Sequence, residues 1–263
     1  MSILRLTQLT IAAGLGLHLS CWAIGPVASA ESLKPNDVVV GPIKIGRRTV
    51  VLPAGTWQLI TSSERNSSTD GTAQSPTLLS LEFQELRNGR LTRLLQVTAT
   101  KFSRTVNWLD EPCKSQGDSY WIDDRRRGIR DQFCLRVGFK SGVVDGARGD
   151  VFQAWARDMK SKSIGYSPEM PFVMVTRYTP YDYLQMTVSF DPALSGIPPS
   201  QNPARTFNEW NAAGIAQRPA NAKFFDALVA WSPTYAAAVQ RAFDGEDGLA
   251  ASDYGEPILP VKP

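Results

Sequence analysis

The stretch CKSQGDSYWIDDRRRGIRDQFC, residues 113–134, holds a dense set of side chains that are capable of chemistry. Cys113 and Cys134 bound it, and the third cysteine of the chain, Cys21, lies far upstream. Two cysteines can form a disulfide, ligate a metal or act as a redox pair. The arginines and aromatic rings between them can bind anions and stack on flat surfaces. The rest of the sequence excludes several of these roles.

The single histidine, His18, lies in an N-terminal segment typical of a secretory signal. Once that segment is removed, a histidine base, a Ser-His-Asp or Cys-His arrangement and an imidazole metal site are all excluded. Two cysteines without a CxxC pairing do not complete a four-ligand zinc site. We therefore predict a structural disulfide between Cys113 and Cys134, and neither a metal nor a cofactor. Closing such a loop stabilises a fold by about 3 kcal/mol in the chain-entropy picture.

The signal is predicted from charge and side-chain size. Arg5 is followed by an uncharged stretch to Ala30, with an apolar run over residues 11–24. Ala28-Ser29-Ala30 places small residues three and one positions before Glu31, which predicts cleavage after Ala30. The mature protein is then periplasmic or secreted.

Two alternatives for this segment are less favoured. An uncleaved anchor needs about 20 well-packed apolar residues, and this run contains His18 and glycines before Pro26. Lipid attachment at Cys21 is plausible for an envelope protein, but the position three residues upstream lacks an aliphatic side chain. We expect no transmembrane span in the mature chain.

Cleavage leaves 233 of the 263 residues, a length that suits a single α+β domain over 31–263, with a loosely ordered tail from about 245. The 28 basic residues, among them Arg5, nearly balance 25 acidic ones. A nucleic-acid partner relies on a strong positive field, so we expect none.

Alternating apolar residues predict a twisted antiparallel sheet of about six to eight strands built from hairpins. One hairpin is predicted over 47–60 around Pro53-Ala54-Gly55, a second over 79–99 around Asn88-Gly89, and a third over 172–190. In each strand, one face is expected on a core and the other in water.

A middle helix and a kinked C-terminal helix pair are predicted to cover the sheet. Asp150 precedes apolar residues at three- and four-residue spacing, which favours an amphipathic helix that lies against the sheet. Phe224, Leu228 and Trp231 share a second helical face, and Ser232-Pro233 is expected to restart that helix.

The stretch between the cysteines is the predicted binding surface, for an anionic or saccharide ligand or an envelope protein. The residues proposed to contact the ligand are Tyr120, Trp121, Arg125, Arg126, Arg127 and Arg130. The alternative is that four aspartates of the same loop neutralise these arginines. They are Asp118, Asp123, Asp124 and Asp131.

These features favour an exported, non-enzymatic binding or accessory domain. The alternative is a carboxylate-dependent hydrolase of envelope polysaccharide, which needs two carboxyl groups about 5 to 10 Å apart in a cleft. The candidate carboxyl groups are Asp110, Glu111, Asp123, Asp124, Glu169 and Asp191.

The mature chain is predicted to begin at Glu31, because small residues precede it after an uncharged run. N-terminal mass analysis of the exported protein tests this directly. An intact Met1 chain in the membrane fraction contradicts it, and a lipid mass on Cys21 indicates an anchor instead.

Overall fold

The computed structural model describes residues 27–66, 76–102, 108, 111–114, 119–126, 128, 130–200 and 208–260. Within these ranges lie eleven strands and three α-helices, together with short 3-10 turns. The strands are β1 (Ala28–Ser29), β2 (Val38–Val39), β3 (Pro42–Ile45), β4 (Arg48–Val51), β5 (Trp57–Asn66), β6 (Thr77–Arg87), β7 (Arg90–Thr100), β8 (Ser119–Asp124), β9 (Gln132–Ser141), β10 (Glu169–Thr179) and β11 (Asp182–Phe190). The helices are α1 (Asp150–Ser161), α2 (Ala212–Ile215) and α3 (Pro219–Asp244).

Eight strands form one antiparallel sheet in the order β2-β5-β6-β7-β11-β10-β9-β8. A smaller sheet has the order β1-β3-β4, in which β1 runs parallel to β3. The predicted α+β class with a large antiparallel sheet is confirmed.

Two of the three predicted hairpins are confirmed. In the β6–β7 hairpin, Asn88 and Gly89 turn the chain with φ angles of 51° and 70°, the left-handed values that a tight hairpin turn requires. In the β10–β11 hairpin, Thr179 pairs with Asp182, so that two residues make the turn.

The hairpin predicted over 47–60 is wrong, although both of its strands exist. β4 pairs with β3 in the small sheet, whereas β5 pairs with β2 and β6 in the large one. The turn between them crosses from one sheet to the other, and Trp57 Nε1 closes it by donating to the Pro53 carbonyl at 2.8 Å. Turn residues show where a chain reverses, but not which strands pair afterwards.

One face of the large sheet is apolar and packs on α3, which contacts β9, β10 and β11 as well as β4. The two C-terminal helices that were predicted are one continuous helix through Pro233. A proline cannot bond the carbonyl four residues upstream, which here belongs to Val229. The fully buried Ser232 supplies the missing donor, because its Oγ donates to that carbonyl at 2.8 Å.

The opposite face of the sheet is polar, and α1 covers part of it. The expectation that this face lies in water is wrong for Ser80 and Gln84, which are 9% and 6% exposed. Trp155 of α1 donates from Nε1 to Gln84 Oε1 at 2.8 Å. The amphipathic helix therefore packs on polar side chains as well as apolar ones.

The two ends of the described chain both join the core. Ala28 and Ser29 pair with β3, and Ala30 is fully buried, so cleavage after Ala30 would remove β1 from the small sheet. Residues 245–260, the described part of the tail that was predicted to be loosely ordered, contain the fully buried Tyr254, whose hydroxyl donates to the Val51 carbonyl at 2.6 Å. In the described ranges, none of the helices combines the length and the apolar character that crossing a membrane requires.

Ser232→Ala should lower the free energy of unfolding by about 1 to 2 kcal/mol, because the Val229 carbonyl loses its donor. Ser161→Ala is the matched control. It removes a similar bond, to the Asp158 carbonyl, at an exposed site where the Lys162 amide also donates to that oxygen. Denaturant unfolding measures both, and equal losses would show that Ser232 does not support the helix at Pro233.

Candidate functional site

The predicted disulfide is present. Cys113 and Cys134 are bonded with their Cα atoms 5.5 Å apart. Cys134 lies in β9 between Phe133 and Leu135 of the apolar face, so its sulfur points to the opposite, polar face. The bond holds the segment around Cys113 against that side of the sheet.

The two aromatic residues of the predicted binding surface contact the main core. The Tyr120 ring stacks on Phe225 of α3 with a centroid distance of 4.5 Å, and its hydroxyl donates to Asp226 at 2.9 Å. Trp121 is half-buried and also packs against the core. Part of each ring is therefore buried against the core, and this packing holds β8 in place.

Two arginines of the loop form ion pairs with its aspartates. Arg125 pairs with Asp123 at 2.6 Å and Arg126 with Asp124 at 2.7 Å, whereas Arg130 is exposed. Arg127 and Asp118 lie outside the described residues, and Asp131 pairs with Arg177 of β10 rather than with a loop arginine. Exposed pairs of this kind contribute little energy, so an anion can replace the aspartates at these arginines. The loop as a binding surface stays a prediction.

The carboxyl groups considered for hydrolysis each contact a different partner. Glu111 pairs with Lys114 at 3.1 Å, and Asp191 accepts hydrogen bonds from Arg90 and Ser167. Glu169 accepts from Asn208 at 3.1 Å, and burial raises its pKa. Asp110 lies outside the described residues. Each described candidate thus has a partner within the chain.

A different carboxyl group lies in a cleft between α1 and the polar face of the sheet. The cleft has a volume of about 390 Å³. Its lining is mostly apolar, with one acidic and one basic side chain. The lining residues are Ile60, Glu82, Leu94, Phe139, Lys140, Ser141, Val143, Phe152 and Trp155.

Strand alternation and helix periodicity build this cleft. Glu82 pairs with Gln96 across the β6–β7 ladder and projects from the face that also carries Gln84. Phe152 and Trp155 are three residues apart on α1, and their rings meet edge to face at 6.4 Å. The helix therefore places two aromatic rings above a floor that contains one carboxyl group.

The Glu82 carboxyl group has neither a hydrogen-bond nor an ion-pair partner among the described residues. Burial raises its pKa to about 7, although the charge of Lys140 acts in the opposite direction. The Lys140 ammonium group lies 5.9 Å from the centroid of the Phe172 ring and is not bonded to Glu82. An unpaired carboxyl group in an apolar cleft is a common mark of a ligand site.

The cleft does not resemble a metal centre. In the described part of the chain, no group of three or more potential metal ligands of the His, Cys, Asp and Glu types comes together. The lining contributes a single carboxylate, which is less than a stable divalent cation site needs.

Sequence reasoning missed Glu82 because strict alternation assigned it to solvent. One feature of the sequence indicated that this face of the sheet is covered. The apolar stripe of the helix that begins at Asp150 had to be buried, and α3 already covers the apolar face. Only the polar face remained for it, so a polar side chain had to lie beneath the helix.

No protein-family model, curated protein or solved structure matches this chain. The function must therefore be inferred from the chemistry of its own residues.

Glu82 should make stability fall as pH rises. Burial raises its folded-state pKa from 4.5 to about 7, so its contribution is complete below about pH 4.5 and is lost as pH rises through about 7. Glu82→Gln should therefore be more stable than the wild type at pH 8 by about 1 to 3 kcal/mol, and nearly equal at pH 4.5. Denaturant unfolding at the two pH values measures the difference.

Glu64→Gln is the matched control on the neighbouring strand β5, where the glutamate is 49% exposed and pairs with Lys101. It should show no comparable gain at pH 8. An equal gain in both variants would mean that general surface charge, rather than the cleft, causes the effect.

Proposed function

We propose that this protein is an exported binding module, and that the cleft under α1 binds a small amphiphilic molecule with an apolar body and a hydrogen-bond-donating head group. The supporting observation is the Glu82 carboxyl group, which is half-buried among aromatic and aliphatic side chains and has no partner in the described part of the chain. A half-buried carboxyl group has lost part of its hydration, which costs free energy when no protein donor replaces the water. A ligand that donates to Glu82 reduces that cost.

The apolar lining supports the apolar part of this ligand. Phe152 and Trp155 form one wall, and Ile60 and Leu94 belong to the sheet beneath it. Rings and branched aliphatic side chains bind apolar groups through burial, at about 25 cal/mol per Å² of surface removed from water. A volume of about 390 Å³ accommodates a chain or ring of modest size.

A binding role fits the cleft better than glycoside hydrolysis. The common mechanisms use two carboxyl groups that flank the scissile bond. The lining of this cleft supplies only Glu82 among the described residues. One carboxyl group can orient a ligand but cannot act as both acid and base.

Export is supported by the predicted signal and by the Cys113–Cys134 disulfide, a feature typical of oxidising compartments. In this setting the loop of Arg125, Arg126 and Arg130 is a second predicted surface, for acidic saccharides or for a carboxylate-bearing envelope partner. Its test is separate from that of the cleft, because Glu82 is not part of it.

The amine octylamine, titrated calorimetrically into the full chain, tests the cleft. We expect binding at pH 8 that weakens at least tenfold in Glu82→Gln, because the ammonium group loses its carboxylate. We also expect the affinity of the wild type to fall about tenfold from pH 8 to pH 6, because a carboxyl group with a pKa of about 7 is largely protonated at the lower pH.

Two controls locate the binding. Glu64→Gln removes an exposed glutamate and should bind as the wild type does. A variant with glutamine at Arg125, Arg126, Arg127 and Arg130 should also bind octylamine normally. Octylamine binding that is insensitive to Glu82→Gln, or absent at pH 8, contradicts the proposal.

A further inference from the structure

A second cleft lies on the other side of the β6–β7 hairpin. It has a volume of about 630 Å³ and opens between the turn of the hairpin and the C-terminal segment. One wall carries three arginines and the other carries apolar side chains. The residues that carry the inference are Arg87, Arg90, Arg93, Phe190, Leu194 and Glu256.

Arg93 is the centre of the charged wall, and its position is fixed. Its Nε and one terminal nitrogen donate to Glu85 at 2.7 and 2.9 Å, and the same terminal nitrogen donates to the Ala54 carbonyl at 2.7 Å. The guanidinium also stacks over Trp57 at 4.9 Å. Gly55 permits this close approach, since a Cβ there would lie 2.6 Å from the guanidinium. Arg93 is therefore held in place before any ligand arrives.

The other terminal nitrogen of Arg93 faces Glu256. It donates to the two carboxylate oxygens at 3.0 and 3.3 Å. The Glu256 side chain is 57% exposed, whereas that of Arg93 is 8% exposed. A group from the surface thus satisfies a buried donor, which is the arrangement that an external carboxylate would reproduce.

The charges of the cleft support this interpretation. Arg87, Arg90 and Arg93 face two fixed carboxylates, Glu85 and Asp191, so one positive charge is left for Glu256. Burial alone would raise the pKa of Glu85, but Arg93 and Arg87 outweigh it and lower that pKa to about 2. Glu85 therefore stays ionised, and the remaining positive charge is a constant feature of the site.

The C-terminal segment that carries Glu256 is anchored just before it. Tyr254 is fully buried, its carbonyl accepts from Trp231 Nε1 at 2.9 Å, and Gly255 turns the chain with a φ of 61°. Beyond Glu256 the chain is anchored again, because Leu259 packs against the core. The Glu256 side chain itself is more than half exposed, so a change of its rotamer releases Arg93 while the backbone on both sides stays in place.

We infer that this cleft is a second binding site, specific for organic carboxylates with an apolar substituent, and that Glu256 occupies its anion position from within the chain. The carboxylate of such a ligand replaces Glu256 on Arg93 and reaches the exposed guanidinium of Arg87. Its apolar part lies along Phe190 and the half-exposed Leu194. This site does not depend on the cleft under α1, because Glu82 and Arg93 project from opposite faces of the hairpin.

Calorimetric titration with octanoate at pH 7.5 tests the inference on the full chain. Glu256→Ala should bind octanoate at least tenfold more tightly than the wild type, because the internal competitor is gone. Glu256→Gln, which keeps the size of the side chain and removes its charge, should change the affinity in the same direction. Adding Arg87→Gln to Glu256→Ala should weaken octanoate binding at least fivefold. Because the Arg87 side chain is 61% exposed and has one ion pair, to Glu85, we expect this change to leave the fold intact.

Two controls separate this site from other effects. Glu246→Ala removes a comparable exposed partner from Arg241, at 3.0 Å and outside the cleft, and leaves Arg241 paired with Asp253 at 2.9 Å; it should not create tight octanoate binding. The double variant Glu82→Gln/Glu256→Ala should bind octanoate as tightly as Glu256→Ala does. This result is expected whether or not the cleft under α1 binds a ligand. Equal affinities of the wild type and both Glu256 variants, or a tight Glu246→Ala variant, would overturn the inference.

Discussion

The alternation of side chains along the β6–β7 hairpin is the constraint on which both clefts depend. Successive residues of a strand point to opposite sides, so Glu82 and Glu85 leave β6 on different faces of the sheet. One face meets α1, and the other meets the 53–57 turn and the C-terminal segment. A one-residue shift in the register of this hairpin would move each glutamate to the opposite face of the sheet and abolish both sites.

The two glutamates show how surroundings decide the chemistry of one side-chain type. Burial raises the pKa of Glu82 to about 7, whereas Arg93 and Arg87 outweigh the raising effect of burial at Glu85 and lower its pKa to about 2. Glu85 is consequently a permanent structural charge that orients Arg93. Glu82 exchanges its proton near neutral pH and can respond to a ligand.

Local patterns predicted much of the fold. Alternation and Asn88-Gly89 identified the β6–β7 hairpin, and the spacing of apolar residues identified α1. The lack of histidine in the predicted mature chain left a disulfide as the role of Cys113 and Cys134. The failures concern features that turn and cap signals do not specify. β4 and β5, on either side of the 53–56 turn, pair with β3 and with β2 and β6 rather than with each other. The helix continues through Pro233 because the Ser232 side chain bonds to the Val229 carbonyl.

The candidate sites were harder to predict because tertiary packing, rather than local sequence, brings their residues together. The cysteine-bounded loop stands out in the sequence because its charges are adjacent, yet adjacency lets Arg125 and Arg126 pair with Asp123 and Asp124. Glu82 and Trp155 are far apart in the sequence, and only the packing of α1 on the polar face brings them to one cleft. A site made by tertiary packing leaves no short motif.

The most direct test of the central claim is a carbon-detected NMR titration of the Glu82 carboxyl group, with and without octylamine. If the carboxyl group is half-buried without a partner among the described residues and binds the ligand, it should titrate near pH 7 in the free protein, and octylamine should lower that pKa. Titration near 4.5 that octylamine leaves unchanged would contradict the account.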